Sequence, residues 1–168
     1  MTFHRRSVRL RGHDYRDGGM YFVTICTKKR EQIFGEIRNG IMGLSTMGCI
    51  VADELQKTPI IRPCMHIDCW VIMPNHIHIL FNIDHHVGAL CHNAPTNNKI
   101  PRLQSGSLGS MIGQLKIVST KRIRKIDPGF SWQRNYHEHI IRNEDERLRI
   151  HRYILDNPAM WDIDTDNI

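Results

Sequence analysis

The densest chemistry in the chain lies in six residues, Pro74-Asn75-His76-Ile77-His78-Ile79. In an extended strand, residues two apart share a face, so this spacing predicts that His76 and His78 project together while Ile77 and Ile79 enter the core. Two neighbouring imidazoles are half of a divalent-metal site. Taken alone, their nitrogen donors suit zinc or manganese better than magnesium, which prefers oxygen. A second cluster, Trp132-Gln133-Arg134-Asn135-Tyr136-His137-Glu138-His139, gathers an aromatic, a phenol, two imidazoles and a carboxylate. If a helix begins at Tyr136, His139 lies one turn on and can complete a metal site beneath the phenol. If the stretch is extended, Glu138 shares the face of Tyr136 instead. The plainer alternative makes Trp132 and Tyr136 core or rim aromatics among surface charges.

The elements that must position these groups follow from pattern. Met20 to Thr27 is β-branched and aromatic and reads as a strand launched from Gly18-Gly19. Ile33 to Arg38 and Ile41 to Leu44 flank Asn39-Gly40, a hairpin signal because both central residues must accept positive φ. Ser45-Thr46 can cap a helix carrying Met47, Ile50, Val51 and Leu55, which Thr58-Pro59 is expected to end. His66 to Met73 reads as a strand, Pro74-Asn75 as a bend and His76 to Phe81 as the next strand. Turn formers crowd Asn82 to Gly106, predicting a long mobile loop at 83–106. Leu108, Met111, Ile112, Leu115 and Val118 mark an amphipathic helix stopped by Asp127-Pro128-Gly129. Asn143, with Glu146 three residues on, caps a last helix through Ile150, Tyr153 and Ile154, ahead of an acidic tail at 156–168. Interleaved helices and strands with a hairpin predict one α+β domain, an antiparallel sheet with helices on one face.

Composition narrows the class. The chain has 168 residues, 40% hydrophobic and 24% charged, and is large enough for a core without disulfides. Its apolar runs fall short of a membrane span, and the five arginines of Met1 to Arg16 precede no apolar run of a secretory signal. Five cysteines without a CxxC pair fit a reducing cytoplasm. The loop residues His85, His86, Cys91 and His92 form at most an incidental zinc site beside the reading as solvated side chains. The formal net charge is +6, and it is blocky: His85 to Ile126 contains no carboxylate but includes Lys99, Arg102, Lys116, Lys121, Arg122, Arg124 and Lys125. Such a block favours a polyanion, nucleic acid being the commonest.

In order along the chain stand Tyr21-Phe-Val-Thr-Ile-Cys-Thr27, Phe34-Gly-Glu-Ile37, Met73-Pro-Asn-His-Ile-His78, Trp132-Gln-Arg-Asn-Tyr-His-Glu-His-Ile-Ile-Arg-Asn-Glu144, Arg152-Tyr-Ile154 and Asn157-Pro158. From about Arg9 to Trp161 this series resembles the REP-associated tyrosine transposases, a branch of the single-tyrosine HUH (His-hydrophobe-His) nucleases. The resemblance implies a ferredoxin-like, RRM-like fold with the histidines on a central strand. It implies single-stranded DNA cut and rejoined beside a hairpin through a 5′-phosphotyrosine, by a monomer or a homodimer. It also implies Tyr136 as nucleophile, and magnesium, with manganese able to substitute, held by His76, His78 and a third polar ligand, here His139. A phenol with a pKa of ~10 is a poor nucleophile at neutral pH, so it must be aimed and its target made electrophilic. His137 stands where a second aromatic is frequent in that family.

With such a site in view, Lys116, Lys121 and Arg122 read as a phosphate track, and Arg5, Arg6, Arg9 and Arg11 as an arm that grips the hairpin. Lys121 and Arg122 also close a helix, where cations suit the dipole whatever the partner; Lys116 lies mid-helix. Two other functions compete: a non-catalytic, domesticated hairpin-DNA-binding protein, and a zinc hydrolase, for which no carboxylate stands in HExxH-like spacing.

Overall fold

The computed structural model describes residues 19–84 and 107–163. Most of the loop expected at 83–106 and all of Arg5, Arg6, Arg9 and Arg11 lie outside the described residues. In chain order the elements are β1 (Gly19–Cys26), β2 (Gly35–Arg38), β3 (Ile41–Leu44), α1 (Thr46–Ile61), β4 (Met65–Ile72), β5 (His76–Ile83), α2 (Leu108–Ile123), β6 (His137–Ile141) and α3 (Glu144–Asp156). Short 3-10 turns cover Lys28–Arg30 and Asn157–Ile163. The second turn folds the first part of the expected acidic tail back onto the body, with Trp161 buried.

Four strands form one sheet in the order β4-β5-β1-β6, each pair antiparallel, so β5 and β1 are the interior strands. The small β2–β3 hairpin turns at Asn39 (φ 53°) and Gly40 (φ 73°), the left-handed pair that its Asn-Gly sequence demands. Ser45 caps α1 by accepting the Gly48 N–H, and Asn143 caps α3 by accepting that of Glu146. α1 outruns its expected stop and continues through Pro59 to Ile61. The proline removes an N–H that would have bonded the Leu55 carbonyl one turn back, and the Arg62 N–H still closes the end on Thr58.

Helices cover both faces of the sheet rather than one. Alternation sends Tyr21, Val23, Ile25, Ile77, Ile79 and Phe81 to one side, where Val51 and Leu55 of α1 and Met111, Ile112 and Leu115 of α2 complete the main core. The opposite face carries Met20, Phe22, Leu80 and Ile141, too apolar to be left wet, and α3 covers it with Ile150 and Ile154. A second hold lies at the sheet edge. The register of β4 shifts between Ile67 and Cys69, and Asp68 at that bulge accepts from Arg147 of α3 at 2.6 Å.

Candidate active site

His76 and His78 stand at the start of β5, on the α3 side of the sheet, while Ile77 and Ile79 enter the core, as their spacing predicts. Their Nε2 atoms face each other at 3.0 Å. Each ring is held from behind: His76 Nδ1 lies 2.7 Å from the Asn75 side-chain oxygen, and His78 Nδ1 lies 2.8 Å from the Thr24 hydroxyl of β1. An amide oxygen can only accept, so His76 carries its proton on Nδ1 and turns its Nε2 lone pair toward His78. Facing that lone pair, His78 carries its proton on Nε2 and accepts from the Thr24 hydroxyl at Nδ1; because the hydroxyl can also turn to accept, the proton can move to Nδ1 when an ion takes the place between the rings. Asn75 is itself fixed through its backbone, whose carbonyl accepts from both the N–H and the hydroxyl of Thr27.

Burial tunes the pair. His76 is 0% and His78 1% exposed. Desolvation, with a smaller push from the Arg30 charge, lowers the His76 pKa to about 3, so at neutral pH the imidazole is uncharged. The consequence for stability has a definite sign. Between the ordinary value near 6.5 and the folded value of about 3, the unfolded chain binds the proton and the folded one does not, so stability falls as pH drops through that window. The expected loss for the ion-free protein is on the order of several kcal/mol by pH 3. Urea midpoints measured from pH 7 to pH 4 check this, with a His76→Gln variant expected to give a flatter profile; identical profiles would contradict it.

The roof over the histidines comes from α3 and the turn that follows it. The Tyr153 ring of α3 lies 5.3 Å from that of His78, and its hydroxyl is 3.4 Å from His78 Nε2, at the long end of hydrogen-bond range. Trp161 covers His76 at 6.1 Å between rings, and Phe22 lies 5.1 Å from the His78 ring. Beside them opens a cavity of about 520 Å³ whose walls include Arg30, His78, Gln133, Asn135, Tyr136 and Tyr153. Arg30 is the one Lys or Arg on those walls among the described residues. It is presented by a left-handed backbone (φ 58°, after Lys29 at φ 56°), a conformation costly for side chains larger than glycine, in a turn where the single Thr27 hydroxyl proton is shared between the Asn75 and Glu31 carbonyls, each 2.9 Å away.

Tyr136, the expected nucleophile, lines this cavity, but its ring packs against the core on the α1–α2 side, with the Lys116 ammonium 5.9 Å from its centroid. A second phenol, that of Tyr153, also lines the cavity and brings its hydroxyl to 3.4 Å from His78 Nε2. Tyr153 carried a sequence signal in its spacing: it stands three residues after Ile150 and beside Ile154, at the rim of the α3 stripe that meets the sheet, and is itself 44% exposed.

His139 does not join the pair. Residues 137–141 are extended, so the helical alternative that placed His139 beneath the phenol does not form. β6 is separated from β5 by β1, roughly 10 Å across two strand spacings. His139 instead pairs with Glu146 of α3 at 2.8 Å. Glu138 sits opposite Val23 and so faces the α1–α2 core, away from the histidines. Among the described residues no group of three His, Cys, Asp or Glu side chains is assembled for a metal.

The expected phosphate track is also redistributed. Arg122 turns toward α1 and pairs with Asp53 and Glu54, whose carboxylates tie the two helices together. The Lys116 ammonium donates to the carbonyls of Gln133 (2.8 Å) and Asn135 (3.0 Å), anchoring the segment before β6, and burial lowers its pKa to about 8. Lys121 remains exposed on α2.

No protein-family model matches the chain. An uncharacterized protein of Haemophilus influenzae is 41% identical over 166 residues, which span 96% of this chain and 92% of that protein. A REP-associated tyrosine transposase, solved bound to a REP hairpin, superposes over 95% of this chain and 73% of its own with a TM-score of 0.58. The identity between the two is 21%, and the likeness is one of fold.

Proposed function

Because this chain belongs to one family with the Haemophilus influenzae protein and is built on the fold of a REP-associated tyrosine transposase, we propose that it is a metal-dependent endonuclease and strand transferase acting on single-stranded DNA beside a hairpin. One observation carries this: a phenol hydroxyl 3.4 Å from His78, which itself meets His76 at 3.0 Å, on the wall of a cavity that also holds an arginine.

In this role Tyr153 is the nucleophile. Its oxygen bonds to the scissile phosphorus as the bond to the departing O3′ breaks; the phenol loses a proton and the released 3′-hydroxyl gains one. The 5′ side stays esterified to the tyrosine, so the 3′-hydroxyl of another strand can reverse the step and join. Arg30, permanently charged, would meet the phosphate oxygens and stabilise the charge that builds on them. Among the described residues no helix is long and apolar enough to cross a membrane.

The histidines fit a divalent ion. Two Nε2 atoms converge, one is fixed as a lone pair by Asn75, and the other can become one because Thr24 can accept from His78 Nδ1. When bound, the ion would neutralise a non-bridging oxygen of the phosphate. Family resemblance implies magnesium, and a set of two imidazoles favours manganese among the ions that could replace it. Thr24→Val removes the hydroxyl while keeping the shape, and we expect Mn²⁺ binding, read by titration calorimetry without DNA, to weaken about 10- to 100-fold. Unchanged affinity would remove Thr24 from the account.

The proposal is tested by incubating the protein with labelled hairpin DNA and Mg²⁺ or Mn²⁺ and resolving the products on a denaturing gel. A covalent protein–DNA band is expected. Hairpin retention with no band would leave a binding protein without chemistry.

A further inference from the structure

A second hollow adjoins the first. Between α2 and the 131–134 segment runs an open cleft of about 630 Å³, with Lys116, Ile117, Lys121, Arg124, Gln133 and Arg134 on its walls. Its charged lining is all basic, and no carboxylate lines it among the described residues. The Lys116 ammonium is occupied by the two carbonyls, which leaves Lys121, Arg124 and Arg134 to act outward. Arg124 is oriented by its Nε donating to the Phe130 carbonyl at 2.9 Å. Between the cations Ile117 is 69% exposed, an apolar contact for sugars or bases. Gln133 lines both this cleft and the cavity of His78 and Tyr153, so the segment before β6 is a lip separating the two.

We propose that this cleft carries the single-stranded flank of the DNA substrate, its phosphates on Lys121, Arg124 and Arg134, with the strand crossing the lip at Gln133 into the cavity. The inference rests on the endonuclease reading above. A phosphate held in the cavity is covalently continuous with one strand only. A basic groove with interspersed apolar contact, opening on the same residue, is what a strand without a complement requires. Arg122, turned to α1, takes no part.

The test compares wild type with Lys121→Gln/Arg124→Gln/Arg134→Gln, measuring affinity across a salt series for a hairpin with a single-stranded flank and for the same hairpin trimmed of it. Each phosphate contact on a single strand steepens the log-affinity against log-salt slope by about 0.7, so the triple variant should flatten it by about two units on the flanked DNA and leave it unchanged on the trimmed one. Because Arg124 also braces Phe130, the Lys121→Gln/Arg134→Gln pair, which breaks no hydrogen bond described here, is run alongside; it should flatten the slope by about 1.4. An unchanged slope on flanked DNA, with wild type still forming its covalent band, overturns this inference and leaves the proposed function standing. Equal flattening on both DNAs assigns the cleft to the stem and overturns it as well. A wild type that neither binds nor cuts either DNA overturns both.

Discussion

Tyr153→Phe is expected to abolish the covalent protein–DNA band, by about a thousand-fold or more, while hairpin affinity stays within a few-fold of wild type. The substitution leaves the ring against Phe22 and His78, at 6.0 and 5.3 Å, and removes only the oxygen that would bond to phosphorus. A group acting in chemistry alone loses rate without losing ground-state binding. Tyr136→Phe provides the contrast. Its ring is packed on the α1–α2 core beside Lys116, so loss of its hydroxyl should change band formation only a few-fold. The reverse pattern, with Tyr136→Phe inactive and Tyr153→Phe active, would return the nucleophile to the segment before β6.

The second large effect concerns the histidines. His78→Ala is expected to lower cleavage by about a hundred-fold or more and to abolish its dependence on the added ion, because in the proposed function His76 and His78 are the side chains that hold it. His76→Ala should match it. Since His76 is wholly buried and its loss opens a hole beneath Trp161, His76→Gln with a melting curve separates lost chemistry from lost fold. His139→Ala, which breaks only the pair with Glu146, should retain cleavage within a few-fold. If chelator leaves wild-type cleavage unchanged, the metal-dependent mechanism is wrong whatever the variants do.

What could be read from the sequence was what local chemistry decides. Asn39-Gly40 specifies its own turn, Ser45 and Asn143 cap the helices that follow them, and strand parity puts His76 and His78 on one face without reference to the rest of the chain. What could not be read depends on arrivals from elsewhere. The face that α3 covers is set by Leu80, Ile141 and Ile154 meeting across the sheet, and by a bulge that presents Asp68 to Arg147, 79 residues away. Pattern marks the stripe of α3 that carries Tyr153, but not which surface it will meet.

The segment around Tyr136 shows the same division. Its composition allowed helix or strand, and the choice was made by pairing with β1, with His137, Glu138 and His139 opposite Thr24, Val23 and Phe22. That one long-range event moved His139 away from the histidine pair and turned Glu138 to the other face. Charge is likewise poorly legible. Lys116 and Arg122 share a helix with Lys121, yet one is taken by carbonyls 17 and 19 residues on and the other by acids 69 and 68 residues earlier. Basic residues announce a polyanion only after their internal partners have been subtracted.

The assignment of Tyr153 is tested most directly by locating the DNA on the protein. The covalent complex formed by wild type on a flanked hairpin is trimmed with nuclease, digested with trypsin and analysed by mass spectrometry. Cleavage after Arg134, Arg142 and Arg152 puts the two phenols on separate peptides, 135–142 for Tyr136 and 153–168 for Tyr153. A nucleotide remnant on peptide 153–168, fragmenting to Tyr153, is the expected result; a remnant on peptide 135–142, fragmenting to Tyr136, would contradict it.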